Sequence, residues 1–444
     1  MSAARARIPR AVKGLSLVSL FNDFASEMVY PLLPAFVTGT LGAGAVALGA
    51  LDGAADLTSA VVKWGSGRLA DRPGWRRPLI LAGYLTAVLV RPLISVTSAA
   101  WQVIGFRVID RVGKGVRTPP RDALIAEVTK PDERGRAFGF HRGADHFGAV
   151  LGSVAAWWFL RVGADVRQVI EWSVVPGLVA FGVLAVVLRR RTGGQLASRD
   201  RALGAAQKGP GAPPTSAQSA PPPAPSAPLP NRDRVSGGRP AASPPARPAA
   251  DATGRVFWGP VLALAGLTFT RLPETLLLLR LQDAGVAVAV VPLVWAALHV
   301  VRSAGSYPGG WLSDRIGPRR TEAGGGALYA AVAAVMGLAL GAAAMAAVFL
   351  VFGLVAGLTE SAERSLVARL APVRTGRGFG AYHALIGFAA LPAGIIFGEI
   401  YQRAGGRTAF WISAAASAVA VAAWLALSPR HQTETASAWR RRGQ

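Results

Sequence analysis

The sequence GRLADRPGWRR, from Gly67 to Arg77, occurs a second time as GWLSDRIGPRR, from Gly310 to Arg320. Both copies hold a glycine, an Asp-Arg pair, a second glycine and an Arg pair, and every matching position lies at the same displacement along the chain. A shorter motif, RAFG from Arg136, returns as RGFG from Arg377 at nearly that displacement. An internal duplication of this length predicts two structural repeats.

The composition is typical of a chain that crosses a membrane many times. The 444 residues are 52% hydrophobic and 16% charged, with a mean hydropathy of +0.37, whereas soluble domains carry about 25% charged residues. Runs of Ala, Gly, Leu and Val are long enough to cross a bilayer. We therefore predict a polytopic protein surrounded by lipid.

Composition and motifs exclude several other classes. The net charge of +24 would suit a nucleic-acid-binding protein, but only five of the 48 basic residues are Lys, and the basic residues fall mostly between apolar segments. No zinc-finger, RRM or basic-zipper pattern is present. Without cysteine, there are no disulfides, Cys-based zinc sites or thiol catalysis. GxxxxGKS/T, GxSxG and HExxH motifs are absent, so we expect no ATP use, no enzymatic catalysis, no cofactor and no metal.

Twelve apolar segments of helical length follow one another along the chain. They are approximately 15–37, 45–66, 78–97, 99–126, 135–160, 171–188, 257–280, 288–309, 321–341, 344–369, 377–400 and 408–428. Arginine is concentrated in alternate connections, which places both termini in the cytoplasm by the positive-inside rule. No cleaved signal peptide is expected, because the first segment carries Asp23 and Glu27.

The composition changes between the sixth and seventh segments. Residues 192–254 are rich in Pro, Ala and Ser with almost no large apolar side chain, which predicts a disordered cytoplasmic linker. It separates an amino-terminal six-helix half, 1–191, from a carboxy-terminal six-helix half with a basic tail, 255–444. Six segments lie between the two copies of the Gly67–Arg77 motif, so both copies lie on one side of the membrane. Transporters with two halves related by an axis along the membrane normal have this arrangement.

The duplicated loop resembles the signature of the major facilitator superfamily, found between spans two and three and between spans eight and nine. The resemblance covers the chain apart from the linker, although Trp75 and Pro318 stand where a basic residue is usual. It implies an all-α bundle of twelve transmembrane helices, multi-pass in a bacterial inner (cytoplasmic) membrane. Asp71 can pair with a helix amino terminus or an Arg in one conformation only, so we interpret the loops as gates rather than solvated turns. The predicted gating residues are Gly67, Asp71, Arg72, Gly74, Arg76, Arg77, Gly310, Asp314, Arg315, Gly317, Arg319 and Arg320.

Many charged side chains lie inside the predicted spans. Each costs ~2.5–3.5 kcal/mol or more at a helix centre, so a charge there marks a substrate or proton pathway by default. Asp23 and Glu27, within FNDFASEMVYPLLP, are four residues apart and share a helix face. The family fold places spans one, four, seven and ten around the central cavity, and all four carry charge. The predicted proton and substrate cavity residues are Asp23, Glu27, Arg107, Arg111, Arg271, Glu274, Glu360 and Glu363. A secondary charge network is predicted at Asp52, Asp56, Lys63, Asp110, Lys114, Asp145 and His146.

Two interpretations of these charges remain open. In the first, Asp23 and Glu27 face the cavity opposite the cations of span four, beside a kink at Pro31 and Pro34, and one of the two acids binds a proton as the halves rock. In the second, the acids and arginines form a static network that fixes helix packing. The histidines in or beside spans are proton relays or packed, hydrogen-bonded side chains. They are His141, His146, His299 and His383.

The sequence predicts a secondary active transporter that moves a small solute by alternating access, with proton-coupled efflux as the first choice. An organic or inorganic anion carrier of the same fold is the alternative suggested by the cations of span four. A non-transporting membrane sensor or scaffold is the alternative from another class, and it would require a folded module in the linker. The Gly-Pro signature of drug–proton antiporters is absent from span five, which contains GADHFGAVLG from Gly143.

Overall fold

The computed structural model describes residues 8–70, 72, 74–129, 134–189, 250–370 and 375–426. These ranges form helices and no β-strand. The helices before the linker are α1 (Arg10–Val29), α2 (Ala45–Ala70), α3 (Arg76–Leu93), α4 (Ala100–Val128), α5 (Arg134–Arg161), α6 (Val166–Trp172) and α7 (Val174–Arg189). Those after it are α8 (Ala250–Phe269), α9 (Glu274–Asp283), α10 (Val291–Ile316), α11 (Pro318–Met336), α12 (Ala342–Leu370) and α13 (Thr375–Ala426).

Two predicted spans are broken helices, and two others are joined. The sixth span consists of α6 and α7, which meet at Ser173, and the seventh consists of α8 and α9, with Pro273 immediately before α9. The range α13 contains two helices, spans eleven and twelve, which meet at Gly405, whose φ of +83° suits glycine. Counted this way, the described helices make twelve segments. Six helices among the described residues are long and apolar enough to cross a membrane by length and composition alone.

Proline and alanine residues account for two of the helix ends, the end of α1 and the start of α8. α1 ends at Val29, two residues before Pro31, and single turns of 3₁₀, α and π type continue to Thr40. Residues 250–254, predicted as the end of the linker, instead form the first turn of α8, in keeping with the high helix propensity of alanine. The rest of the predicted linker lies outside the described residues, as does the basic tail.

The apolar core is shared by both halves at one end of the bundle and divided at the other. We call the end where α1 begins the near end and the end with the α1–α2 connection the far end. At the far end, one cluster contains Phe36 from the amino-terminal half and Leu276 from the carboxy-terminal half. At the near end, the cluster around Leu15 belongs to the first half and the cluster around Val367 to the second. The two halves therefore close on each other at the far end.

A glycine-lined seam between α2 and α13 joins the halves. A Cβ atom placed on Gly49 would lie 1.8 Å from the carbonyl oxygen of Gly394, and one on Gly387 would lie 3.0 Å from the Cα of Leu57. Only glycine lets two backbones approach this closely. A second contact between the halves packs α5 against α10. These two seams flank the space in which the candidate site lies.

Candidate functional site

A cavity of about 580 Å³ lies between the two halves. Its volume is within the range of about 300–1,000 Å³ that holds small ligands in other proteins. Tyr30, Trp295 and Phe352, which belong to the shared core, form part of its wall. The ionisable side chains of the lining are Glu27, Asp52, Asp56, Arg107, Arg111, Lys114, Arg271, Glu274, His299, Arg302, Glu360 and Glu363. The cavity is thus surrounded by charges of both signs from helices of both halves.

Glu27 connects α1 to α10. Its Oε2 accepts a hydrogen bond of 2.8 Å from the indole Nε1 of Trp295, and the Nε2 of His299 lies 3.8 Å away. The predicted position of Glu27 is opposite the cations of span four, whereas its side chain contacts residues of α10. Asp23, one turn nearer to the near end, is not part of the lining and accepts a hydrogen bond of 3.0 Å from Asn22. The shared helix face therefore does not bring both acids to the cavity.

Asp52 connects α2 to α9. Its Oδ2 accepts a hydrogen bond of 3.0 Å from the backbone N–H of Thr275, and the hydroxyl of Tyr30 lies 3.2 Å from both carboxylate oxygens. The break at Pro273 creates this donor, because the first amides of a helix have no partner within it and attract anions. The hydroxyl of Thr275 also donates to the carbonyl oxygen of Leu48. Sequence reasoning missed Thr275, and Pro273 within an apolar segment was the available signal.

Asp110 holds three arginines inside the amino-terminal half. Its Oδ1 accepts a hydrogen bond of 2.9 Å from Nε of Arg91, and its Oδ2 lies 3.7 Å from Arg107 and 4.0 Å from Arg111. Arg91 also donates to the backbone and side-chain oxygens of Asn22, at 2.9 and 3.1 Å. Arg91, Arg107 and Asp110 are buried, and the group ties α1, α3 and α4 together. Here the geometry favours the static interpretation, since the partners all belong to one half.

Arg271 lies between two carboxylates in the carboxy-terminal half. Its Nη2 is 3.2 Å from Oε1 of Glu322, and its Nη1 is 4.0 Å from Oε1 of Glu363. The hydroxyl of Tyr382 donates to Oε2 of Glu363. Glu322 was not predicted as a site residue. It lies only two residues after Arg320, the end of the second duplicated loop, so its position in the sequence suggests a loop residue. In the structure it lies in α11 with 1% of its side chain exposed.

The other charged residues of the cavity differ in exposure. Glu274 forms an ion pair with Arg302, which was not predicted. Glu360 is largely exposed and pairs with Arg364 at 3.3 Å. Asp56 and Lys114 line the cavity with exposed side chains. These exposed charges are the ones available to a solute.

The remaining network residues lie outside the lining. Lys63 lies near the end of α2 and is partly exposed. On α5, Asp145 lies 3.8 Å from the ring of His141, and the ring centroid of His146 lies 6.1 Å from that of His299. Among the described residues, no group of three or more His, Asp or Glu side chains is placed to hold a metal ion.

The arginines of the duplicated loops bind the ends of neighbouring helices. Arg76 pairs with Glu127 at 2.7 Å and donates to the carbonyl oxygen of Ala70 at 2.9 Å. Arg77 donates to the carbonyl oxygen of Leu188 in the last turn of α7, and Arg319 donates to that of Trp424 near the end of α13. Unpaired carbonyl groups at a helix carboxyl terminus are natural partners for cations. Both loops thus fasten the last helix of their own half.

The other predicted gating residues surround these arginines. Gly74 and Gly317 have φ angles of +81° and +91°, which explains glycine at both positions. Asp71 lies outside the described residues, as does the side chain of Asp314. Gly67 lies near the end of α2, Gly310 and Arg315 near the end of α10, Arg72 between α2 and α3, and Arg320 in the first turn of α11.

Comparisons with known proteins agree with this fold. The family model for the Major Facilitator Superfamily matches residues 15–270 and 274–443. An uncharacterised MFS-type transporter of Methanocaldococcus jannaschii is 32% identical over 168 residues, which cover 38% of this chain and 42% of that protein. The multidrug resistance protein MdtH of Photorhabdus laumondii is 30% identical over 30% of this chain and 33% of its own length. The matches to these curated relatives therefore span less than half of their length. The crystal structure of a D-xylose-proton symporter aligns with a TM-score of 0.67 at 13% identity, over 95% of this chain and 98% of the other.

Proposed function

We propose, from the premise that this chain belongs to the major facilitator superfamily, that it is a secondary active transporter of a small solute. It works by alternating access in a bacterial inner membrane, with both termini in the cytoplasm. The observation that carries the proposal is the cavity of about 580 Å³ between the halves, lined by ionisable side chains from both. A solute bound there contacts both halves at once, so their relative movement changes the side from which it is accessible.

The distribution of apolar contacts supports this movement. At the far end the halves share one core, and the hydrogen bonds Trp295–Glu27 and Thr275–Asp52 connect them. At the near end each half has a core of its own, so the halves can separate there without exposing either core. We assign the structure to the state closed at the far end. Opening of the far end requires that these two hydrogen bonds break, together with the bond from the Thr275 hydroxyl to Leu48.

The chemical nature of the far-end connections supports proton coupling. Glu27 and Asp52 accept their bonds through carboxylates, and hydrogen bonds to an ionised acceptor are stronger than those to a neutral one. Protonation of Glu27 would therefore weaken its bond to Trp295 and favour opening of the far end. The name of the MdtH relative, a multidrug resistance protein, supports efflux as the direction of transport.

An anion carrier is the second candidate, and one observation favours it. Arg107, Arg111 and Lys114 all reach the cavity from α4. Arg107 and Arg111 share Asp110 with Arg91, so the surface of α4 presents an excess of positive charge. Replacement of Lys114 by Gln would reduce the uptake of an anionic solute and leave that of a cationic solute unchanged or increased.

Flux into proteoliposomes tests the proposal. Purified protein is reconstituted and assayed with a panel of small cationic, anionic and neutral solutes, with and without a pH gradient. We expect at least one solute to move and its flux to respond to the gradient. The variant Ala356→Trp, which fills part of the cavity, should stop that flux, whereas Ala423→Trp on the exposed surface of α13 should not. Equal flux in both variants would show that the solute does not pass through this cavity.

A further inference from the structure

We propose that Glu322 and Glu363 form a carboxylate pair that shares the guanidinium of Arg271 and holds one proton between them. This site lies within the carboxy-terminal half and is separate from Glu27, which connects the halves. Its part in transport rests on the proposed function, but its existence does not.

The geometry places the two acids on opposite sides of one cation. Nη2 of Arg271 is 3.2 Å from Oε1 of Glu322, and Nη1 is 4.0 Å from Oε1 of Glu363. Arg271 lies in the break between α8 and α9, Glu322 in α11 and Glu363 in α12, so three elements bring these groups together. Among the described residues, neither carboxylate has a second cationic partner within ion-pair distance.

The surrounding groups do not supply the missing positive charge. Glu360 and Arg364, on the same helix as Glu363, pair with each other, and Arg302 on α10 pairs with Glu274. Among the described residues, two tyrosines also contact the site. Tyr382 from α13 donates its hydroxyl to Glu363, and the ring of Tyr329 on α11 lies 5.7 Å below the guanidinium of Arg271. With both acids ionised, the group would carry an uncompensated negative charge.

Burial makes that charge costly. Glu322 is 1% exposed and Glu363 is 16% exposed. The Oε2 atom of Glu322 is buried without a hydrogen-bond partner, so an ionised carboxylate there would lack a donor for one of its charged oxygens. Burial of an unpaired charge costs far more than burial of a neutral carboxyl group. Two acids that compete for one cation therefore titrate as a unit and keep one proton at neutral pH.

The pair is connected to the cavity on one side only. Arg271 and Glu363 line the cavity, whereas Glu322 lies behind them. A proton from water in the cavity thus reaches Glu363 first and is shared with Glu322. When the proton leaves by the same route, one negative charge remains on the cavity wall, which alters the affinity for a charged solute. The site gives the carboxy-terminal half its own means of sensing protons.

Infrared difference spectroscopy of the purified full-length protein tests the pair without any transport measurement. At neutral pH, the wild-type protein should show the band of a protonated carboxyl group, with the shift expected in D₂O. In Glu322→Gln and in Glu363→Gln, the intensity of this band should fall by the contribution of one carboxyl group. The remaining acid is then ionised, because it and Arg271 neutralise each other. The control Glu360→Gln, at an exposed position of the same helix, should keep the full band.

The outcome separates this site from the proposed function. A wild-type protein without the band, or a band of full wild-type intensity in either single variant, overturns the pair. Each variant replaces a carboxyl by an amide of nearly equal shape, so we also expect the melting temperature of at least one to match the wild type. A large drop in both would instead mean that both acids are ionised and structural. Absence of flux in proteoliposomes would refute the proposed transport function and leave the infrared result unchanged.

Discussion

The indole Nε1 of Trp295 donates a hydrogen bond of 2.8 Å to Oε2 of Glu27, and this bond joins the two halves of the bundle at the far wall of the cavity. Trp295 is 2% exposed, and its ring lies 5.2 Å from that of Tyr30. The acid that the sequence singles out is therefore positioned where a change in its charge acts on the contact between the halves. The first two predictions concern this bond.

Glu27→Gln should uncouple the protein rather than unfold it. The amide oxygen of Gln can still accept the hydrogen bond from Trp295, but the side chain no longer binds a proton. We expect normal insertion and solute binding, with a flux that does not respond to an imposed pH gradient. Thermal stability and pH-driven flux are measured on the same purified variant. A lower melting temperature together with a residual flux that still follows the gradient would contradict the role of Glu27 in proton binding.

Trp295→Phe should loosen the closed far end, because it removes the donor and keeps an aromatic ring in the shared core. The chain has no native cysteine, so spin labels at Val162→Cys and Val288→Cys report on the far ends of the two halves without background. In Trp295→Phe, pulsed electron–electron double resonance should show a larger population of long distances between the two spin labels. Trp311→Phe, at an exposed site on the same helix, serves as the control. Identical distance distributions in the two variants would mean that the bond does not hold the far end closed.

Gly49→Ala should destabilise the seam between α2 and α13. The added Cβ atom would lie 1.8 Å from the carbonyl oxygen of Gly394, so the two backbones must move apart. Overpacking of this kind costs ~1–3 kcal/mol or more, and we expect a lower melting temperature in detergent. Gly182→Ala is the matched control, since a Cβ atom there meets nothing within 4 Å. Equal melting of the two variants would show that the helices are farther apart in solution.

Asp110→Asn should destabilise the amino-terminal half strongly. It leaves Arg91, Arg107 and Arg111 without their common anion in a buried site, and removal of one partner from such a group costs ~3–5 kcal/mol. Glu399→Gln, which breaks an exposed pair with Arg403, should cost ~0–1 kcal/mol. Thermal unfolding of the two purified variants checks the difference. If Asp110→Asn has the same melting temperature as Glu399→Gln, Asp110 does not stabilise the amino-terminal half in the way that its contacts indicate.

Much of the fold was predictable because the relevant properties are local. Hydropathy alone locates the helices to within a few residues at most ends, and the duplicated loop from Gly67 to Arg77 identifies the repeat. The breaks were harder to predict. Pro273 divides the seventh span, whereas α6 and α7 meet at Ser173 without a proline. Spans eleven and twelve follow each other without a loop, because a single glycine with positive φ, Gly405, is enough to turn the chain between the two helices.

By itself, the sequence determined which charges lie within the membrane-spanning segments, since composition and spacing are read directly along the chain. Only the tertiary structure decided which of them meet. Glu27 binds Trp295, Asp52 binds the amide of Thr275, and Arg271 lies between Glu322 and Glu363. In each case the partners are far apart in sequence, and their distance depends on how whole helices pack and rotate. A helical face has several possible neighbours, and no local pattern specifies which one it contacts.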